Sequence, residues 1–355
     1  MRRYCEGLLA KTTDEANTDS RPTSAERGDQ AEATLFAQWR RSRLWRVASV
    51  VLAVVAIGLS SYYVVIKLVS SFRQIAWGHL QVRPWPVVIS FIITLACVLL
   101  GVVVWGLVLR GVGVRLGLRA CAQSHLLSIP GAYLPGYGWR YAGKAYLTQR
   151  QGIPLGLASC AVLVELIESE AARGVLAFTT VQQAFLGSFL GGALVPYVWG
   201  LRVLGWGALL VLPLALERGV AWAKRRGRRP WSDMNIDKGS LWLALGVMCF
   251  TFVLYGVGFS ILLGAASALT LDGLAAAIFS TSSSLAISLL MFFVPAGLSV
   301  RESVIIYTLE GVFPAAMVTV GALVSRGVLV AAEVVGSLIG SWLALRGRRR
   351  SSPKG

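Results

Sequence analysis

Two arginines in this sequence have the chemistry and the placement to bind phosphate. Arg140 and Arg301 each stand four residues after a glycine, Gly136 and Gly297, that closes a proline-containing turn. A guanidinium group binds two phosphate oxygens at once. A short helix that begins after such a turn also presents the positive end of its dipole to an anion. The pattern therefore predicts that Arg140 and Arg301 bind the phosphate of a ligand.

The two turns belong to longer stretches that are similar to each other. The first turn contains Pro135 and Gly136, and the second contains Pro295 and Gly297. In both stretches the turn is followed by a predicted short helix, by a second turn with glycine and proline, and by a predicted long helix. The matching order predicts two copies of one structural unit.

Aromatic and basic side chains surround the first turn. Tyr137 and Trp139 fit the aromatic layer that membrane proteins place at the level of the lipid headgroups. We therefore include both in the phosphate site around Arg140. The alternative is that basic residues here only anchor the chain at the membrane surface, and we favour that role for Lys144 and Arg150.

Five further ionisable residues lie in otherwise apolar predicted helices: Glu165, Glu168, Glu302, Arg326 and Glu333. Charge inside a bilayer costs about 2.5–3.5 kcal/mol per residue on insertion scales, so such residues usually mark a function. Glu165 and Arg326 each lie 29 residues after the glycine of their own turn. Equivalent places and opposite charges predict a buried pair between them. One alternative is that Arg326 pairs with Glu333 and that Glu165 faces the lipid headgroup or a proton path. Another is that the ion pairs only hold the structure together.

The sequence offers no pattern for a metal, a cofactor or catalysis. Its five cysteines and two histidines are scattered without ligand spacing. No nucleophile has an adjacent base, and phosphate-loop and hydrolase motifs are missing. We therefore expect no metal, no cofactor and no enzymatic activity. An integral membrane transferase is a third alternative, with Glu165 and Glu168 as its visible acid and base.

The composition places these motifs in a membrane. Hydrophobic residues make up 55% of the chain and charged residues only 14%, which is too little charge for the surface of a soluble domain. Uncharged runs reach the roughly 20 residues that a spanning helix needs at 47–66, 84–109, 174–201, 239–271 and 273–300. The net charge of +17 suits loops that contact anionic headgroups, so we expect no nucleic-acid partner.

The basic clusters predict the topology and the domain limits. Residues 1–45 are polar and are expected to form a disordered cytoplasmic tail. Residues 46–345 form the transmembrane domain, and 346–355 form a basic cytoplasmic tail. Residues 217–238 hold a dense basic cluster, which should also face the cytoplasm. We expect a multi-pass protein of the plasma membrane with both termini in the cytoplasm.

The charge anchors require an even number of crossings between 239 and 345, although three apolar stretches lie there. One stretch is therefore expected to be re-entrant. The repeated stretches, 120–176 and 273–344, then open towards opposite sides, which predicts an inverted repeat. The expected fold is an all-α polytopic integral membrane protein, a helical bundle of about seven or eight segments with two re-entrant hairpins. Residues 174–216 hold either one crossing or two.

This sequence resembles the lysylphosphatidylglycerol synthase transmembrane-region family, also called the flippase-like domain family. The resemblance covers about residues 45–345 and departs at Ser299, where the family often has glycine. Its motifs are Tyr133-Leu134-Pro135-Gly136 with Arg140, then Glu165, the stretch from Pro295 to Glu302, and Ser325-Arg326. The soluble aminoacyltransferase domain of the fused synthases is absent from this sequence, so lysine transfer is not implied.

The resemblance implies binding and transbilayer translocation of an anionic or phosphate-bearing membrane lipid. The alternative is an accessory subunit. Such a subunit would present a polyprenyl-phosphate or a phospholipid to a separate glycosyltransferase or aminoacyltransferase.

Overall fold

The computed structural model describes residues 84–133, 138–181, 197–227, 231, 234–263, 269–290 and 300–351. Within these residues every regular element is helical, which confirms the predicted all-α class. Other predictions lie outside the described residues: the tail 1–45, the apolar run 47–66, and Pro135, Gly136, Tyr137, Pro295 and Gly297.

Nine α-helices and one 3-10 helix make up the described part of the chain. In chain order they are α1 Pro84–Gly111, α2 Leu118–Ser128, the 3-10 helix η1 Ile129–Tyr133, α3 Gly138–Gln149, α4 Leu155–Thr180, α5 Val198–Arg225, α6 Lys238–Leu263, α7 Leu271–Leu290, α8 Val300–Leu309 and α9 Ala315–Ser351. All of them belong to one compact unit.

Five of these helices are long and apolar enough to cross a bilayer. The spanning segments are Pro84–Gly111, Arg202–Arg225, Lys238–Leu263, Leu271–Leu289 and Ala315–Arg346. α1 has 28 residues and no charged side chain before Arg110, so it exceeds the roughly 20 apolar residues that span a bilayer. Helices that are apolar on every side are buried or face lipid. The chain is therefore a helical membrane protein with several spans, as predicted.

The described helices repeat one order of elements. In each copy a short helix ends, a glycine adopts a positive φ, and a proline stands directly before a long helix. Gly152 (φ 93°) and Pro154 join α3 to α4, whereas Gly311 (φ 88°) and Pro314 join α8 to α9. Glycine tolerates this left-handed backbone without strain, and proline fits at the start of a helix. The order agrees with the predicted repeated unit, while the opposite orientation of the copies stays a prediction.

Glycines bring α9 of the second copy close to α1 and to α2 of the first copy. A Cβ atom on Gly340 would lie 2.9 Å from Leu126 Cβ, and one on Gly336 would lie 2.9 Å from Val98 Cγ1. Small residues allow membrane helices to approach this closely. α9 therefore packs directly on α1 and α2.

α1 and α6 form the most extensive helix pair among the described elements. Glycines lie in this contact too. A Cβ atom on Gly258 would lie 2.9 Å from Ile93 Cγ2, and one on Gly111 would overlap the Leu241 side chain. The pair forms one wall of the site.

Candidate functional site

A cavity of about 220 Å³ lies among helices from both copies. This volume is well above the roughly 10–15 Å³ that a cavity needs to hold one water molecule. The charged residues that line it are Arg140, Lys144, Glu165, Arg173, Arg301, Arg326 and Glu333. With five basic and two acidic side chains, this lining attracts anions.

The cavity brings together residues that the sequence analysis singled out. Arg140 and Arg301, the two predicted phosphate ligands, both line it. The lining also includes Glu165, Arg326 and Glu333, three of the five predicted intramembrane charges. Charges from both copies therefore share one site.

Three other predicted residues lie outside the lining. Glu168 and Glu302 are buried, with 0% and 4% of their surface exposed. Trp139 is 57% exposed at the surface. Tyr141, two residues later on α3, lines the cavity instead. The phosphate-binding role predicted for Trp139 therefore gains no support from its position.

Lys144 and Glu165 form a two-pronged ion pair in the cavity wall. The Lys144 ammonium donates to both carboxylate oxygens, at 2.7 and 2.6 Å. It also lies 4.4 Å from the ring centroid of Trp105, and Trp105 Nε1 donates to Ser124 Oγ at 2.9 Å. Burial of the ammonium outweighs the attraction of the carboxylate and lowers the pKa of Lys144 to about 8. The predicted anchoring role is wrong for Lys144, because its side chain is only 4% exposed.

The equivalent charges on the two long helices do not pair with each other. Glu165 on α4 binds Lys144 on α3, and Arg326 on α9 lies 3.9 Å from Glu302 on α8. The predicted pair between Glu165 and Arg326 is therefore wrong. Each long helix finds its counter-charge on the short helix that precedes it, and the signs are reversed between the copies.

Glu333 on α9 connects the second copy to the first. It accepts a hydrogen bond from the Tyr133 hydroxyl and lies 3.9 Å from Arg140. The Arg326 guanidinium lies 5.9 Å from the ring centroid of Tyr133. Glu333 thus pairs with Arg140 rather than with Arg326, which was the alternative partner on its own helix.

Arg301 is the second residue of α8, near the positive end of the helix dipole. It is 4% exposed. Its guanidinium donates a hydrogen bond to the Tyr255 hydroxyl and lies 5.2 Å from the Tyr255 ring centroid. Arg140, the third residue of α3, is more open, with its side chain 26% exposed. Both predicted phosphate ligands therefore reach the cavity from the first turn of a short helix.

Arg173 is a cavity residue that the sequence analysis did not assign to the site. It forms an ion pair with Glu170, and its guanidinium lies 4.7 Å from the ring centroid of Phe252. A signal was present, because Arg173 lies eight residues after Glu165 and so falls on the same side of α4.

His125 on α2 also lines the cavity and was not predicted. It is 5% exposed. Burial holds the pKa of His125 well below its usual range, and the positive charges of Lys144 and Arg140 add to this effect, so the ring is neutral. Gly101 makes room for it, since a Cβ atom there would lie 2.5 Å from His125 Nε2. This contact depends on tertiary packing and leaves no signal in the sequence.

The described residues contain no group of three His, Cys, Asp or Glu side chains that could hold a metal ion. No family model matches this chain, and no curated protein is similar to it in sequence. The resemblance to the lysylphosphatidylglycerol synthase transmembrane-region family therefore stays a prediction.

Proposed function

We propose that this protein binds an anionic, phosphate-bearing membrane lipid and moves it between the two leaflets. The observation that supports this most directly is that Arg140 and Arg301 line one cavity. Each lies in the first turn of a short helix, where the helix dipole adds positive potential. Guanidinium groups that approach from two copies can hold one phosphate group between them.

A lipid suits this cavity better than a soluble anion. The cavity lies between helices that can span a membrane. Apolar side chains also line it, among them Val98, Ile129, Leu166, Phe252 and Leu329. The charged groups would hold the headgroup, and the apolar groups would contact the first part of an acyl chain.

Movement between leaflets would use the two copies. In transporters built from inverted repeats, one repeat rocks against the other around a site near the midplane of the membrane. Here the copies meet at the cavity through the contacts of Glu333 with Tyr133 and Arg140. Such polar contacts can break and form again as the copies move.

A translocation assay without any partner protein tests this function. Vesicles that contain the purified protein and a fluorescent phosphatidylglycerol should expose their inner-leaflet label to dithionite, and protein-free vesicles should keep it protected. Lipid binding without movement would favour the alternative, a subunit that presents a lipid to a transferase. Absence of both binding and movement would contradict the proposal.

The proposed orientation can be tested separately. We propose that the protein lies in the plasma membrane with both termini in the cytoplasm, because basic residues are retained on that side. Reporter fusions after Arg228 and after Ser351 should both report a cytoplasmic position. Opposite readings would contradict both the even number of crossings and the inverted repeat.

A further inference from the structure

The cations of the cavity already face carboxylates. Four of the five basic lining residues lie against an acidic side chain: Lys144 with Glu165, Arg140 with Glu333, Arg326 with Glu302, and Arg173 with Glu170. An anionic headgroup that enters the cavity must therefore compete with a carboxylate that is already in place. A buried carboxylate that loses its cation usually becomes neutral by taking a proton.

Among these basic residues, Lys144 is the least able to bind its carboxylate and a phosphate at the same time. An arginine has five donors and can hold a carboxylate and a phosphate at once, whereas a lysine has three. Lys144 gives two donors to the oxygens of Glu165, and the face of Trp105 lies 4.4 Å away. A phosphate therefore binds Lys144 only if Glu165 is displaced. Arg140 lies four residues before Lys144 on α3, so a phosphate at Arg140 can reach Lys144.

Glu168 is an example of a buried carboxyl group on the same helix that has no cation to neutralise it among the described residues. It lies one turn after Glu165 on α4 and is 0% exposed. Neither of its carboxyl oxygens has a hydrogen-bond partner in the part of the chain that the structure describes. A carboxylate buried in this way is strongly disfavoured, so Glu168 holds a proton. Glu165 is less deeply buried, with 13% of its side chain exposed, but after losing Lys144 it would also lack its own cation.

The helices packed against α4 supply few other charges. Between their first and last turns, α1, α6 and α7 carry no charged residue. On α5, Arg202 donates to the Val181 carbonyl, and Glu217, which Arg218 follows, forms an ion pair with Lys238. The charged residues that share the cavity with Glu165 and Lys144 are Arg140, Arg173, Arg301, Arg326 and Glu333. The other titratable groups there are His125, Tyr133, Tyr141, Tyr255 and Cys97. Arg140, Arg173 and Arg326 already contact their own carboxylates. Arg301 would contact the headgroup.

We propose that an anionic headgroup displaces Glu165 from Lys144 and that Glu165 then takes up one proton, an inference that rests on the lipid-binding function proposed above. The buffered solvent supplies the proton and keeps the conjugate base of the buffer, the Glu165 carboxylate becomes a carboxylic acid, and the lipid phosphate becomes the new counter-ion of Lys144. Lipid and proton then enter the cavity together. A pH difference across the membrane would therefore bias the direction of lipid movement.

Isothermal titration calorimetry in two buffers of different ionisation enthalpy, PIPES and imidazole, counts the protons taken up per bound lipid. The titrant is dihexanoyl phosphatidylglycerol, a phosphodiester whose charge is constant near neutral pH. We expect the full-length protein to take up about one proton per lipid, and Glu165→Gln to take up none. Glu168→Gln is the matched control. It makes the same change one turn away, at a group that is already neutral, and should keep the wild-type uptake.

The possible results separate the proton step from the lipid-binding function. Lipid binding without proton uptake in the wild-type protein would overturn the proton step alone. Equal uptake in the wild-type protein and in Glu165→Gln would overturn the assignment to Glu165. Failure of the wild-type protein to bind the lipid would contradict the lipid-binding function and the proton step with it. If Glu165→Gln does not fold, Glu165→Ala combined with Lys144→Ala replaces it, because this double variant leaves no unpaired charge. It has no carboxylate at position 165 to take up a proton, so the uptake should be lost.

Discussion

Glu165→Ala and Lys144→Ala should each destabilise the folded protein by about 3–5 kcal/mol, because each change leaves a buried partner without its counter-charge. The side chains of Glu165 and Lys144 are only 13% and 4% exposed, so water cannot replace the missing partner. Both variants should show a large fall in yield and in the temperature of thermal unfolding in detergent.

The double variant tests whether the pair itself carries this stability. Glu165→Ala combined with Lys144→Ala should be less destabilised than the sum of the single changes, since no unpaired charge remains. Glu165→Ala combined with Arg326→Ala is the comparison, because these residues have different partners. Their effects should be close to additive. Strong coupling of Glu165 to Arg326 and none to Lys144 would show that the pairing described above is wrong.

Arg301→Ala should weaken lipid binding by roughly 10- to 100-fold, in line with the 1.5–3 kcal/mol of a hydrogen bond to a charged group. Translocation should fall with it. Arg301→Lys should recover only part of the affinity, because an ammonium group cannot form the two-pronged contact with phosphate. Titration with a short-chain phosphatidylglycerol measures the affinity, and thermal unfolding checks that the variants are folded.

Two variants serve as controls for Arg301→Ala. Tyr255→Phe removes the hydroxyl that Arg301 contacts but keeps the ring and the guanidinium, so it should retain most of the affinity. Arg150→Ala removes an exposed arginine from the turn after α3 and should bind lipid normally. Wild-type affinity in a folded Arg301→Ala variant would remove Arg301 from the site.

The sequence predicted site residues best where a residue type is energetically unfavourable among its sequence neighbours. Charges in apolar helices and glycines beside prolines are rare without a reason, and they led to Arg140, Arg301, Glu165, Arg326 and Glu333. All five line one cavity. The repeated order of a short helix, a glycine turn and a long helix followed from the same signals.

The partners of these charges could not be predicted in the same way. Sequence spacing places residues on a helix, but it does not fix how a short helix is rotated against its neighbours. The rotation of α3 turns Lys144 and Tyr141 inwards and leaves Trp139 outside. For Lys144 and Trp139 this is the reverse of the predicted arrangement. The contact of His125 with Gly101 depends on how α2 packs on α1, and the contact of Leu126 with Gly340 joins helices that are distant in sequence.

The number of membrane-spanning helices was also difficult to predict from the sequence. α4 has 26 residues, yet its charged residues keep it out of the set of apolar spans. Hydropathy alone therefore does not identify α4, the helix that holds Glu165, as a membrane span. The same charges are what made it a candidate for function. Most of the undecided stretch 174–216 falls within the described residues, where α5 provides one span.

The contact between α1 and α6 sets an order of events during synthesis. Residues 112–237 separate the two helices, and a ribosome that adds roughly 5–20 residues per second needs about 6–25 s to make these 126 residues. During that interval the face of α1 that will receive α6 must be covered by lipid or by the insertion machinery. Ile93 on that face cannot contact Gly258 until α6 has been made. The nascent protein must therefore hold an apolar helix in the membrane, correctly oriented and unassembled, until its partner has been made.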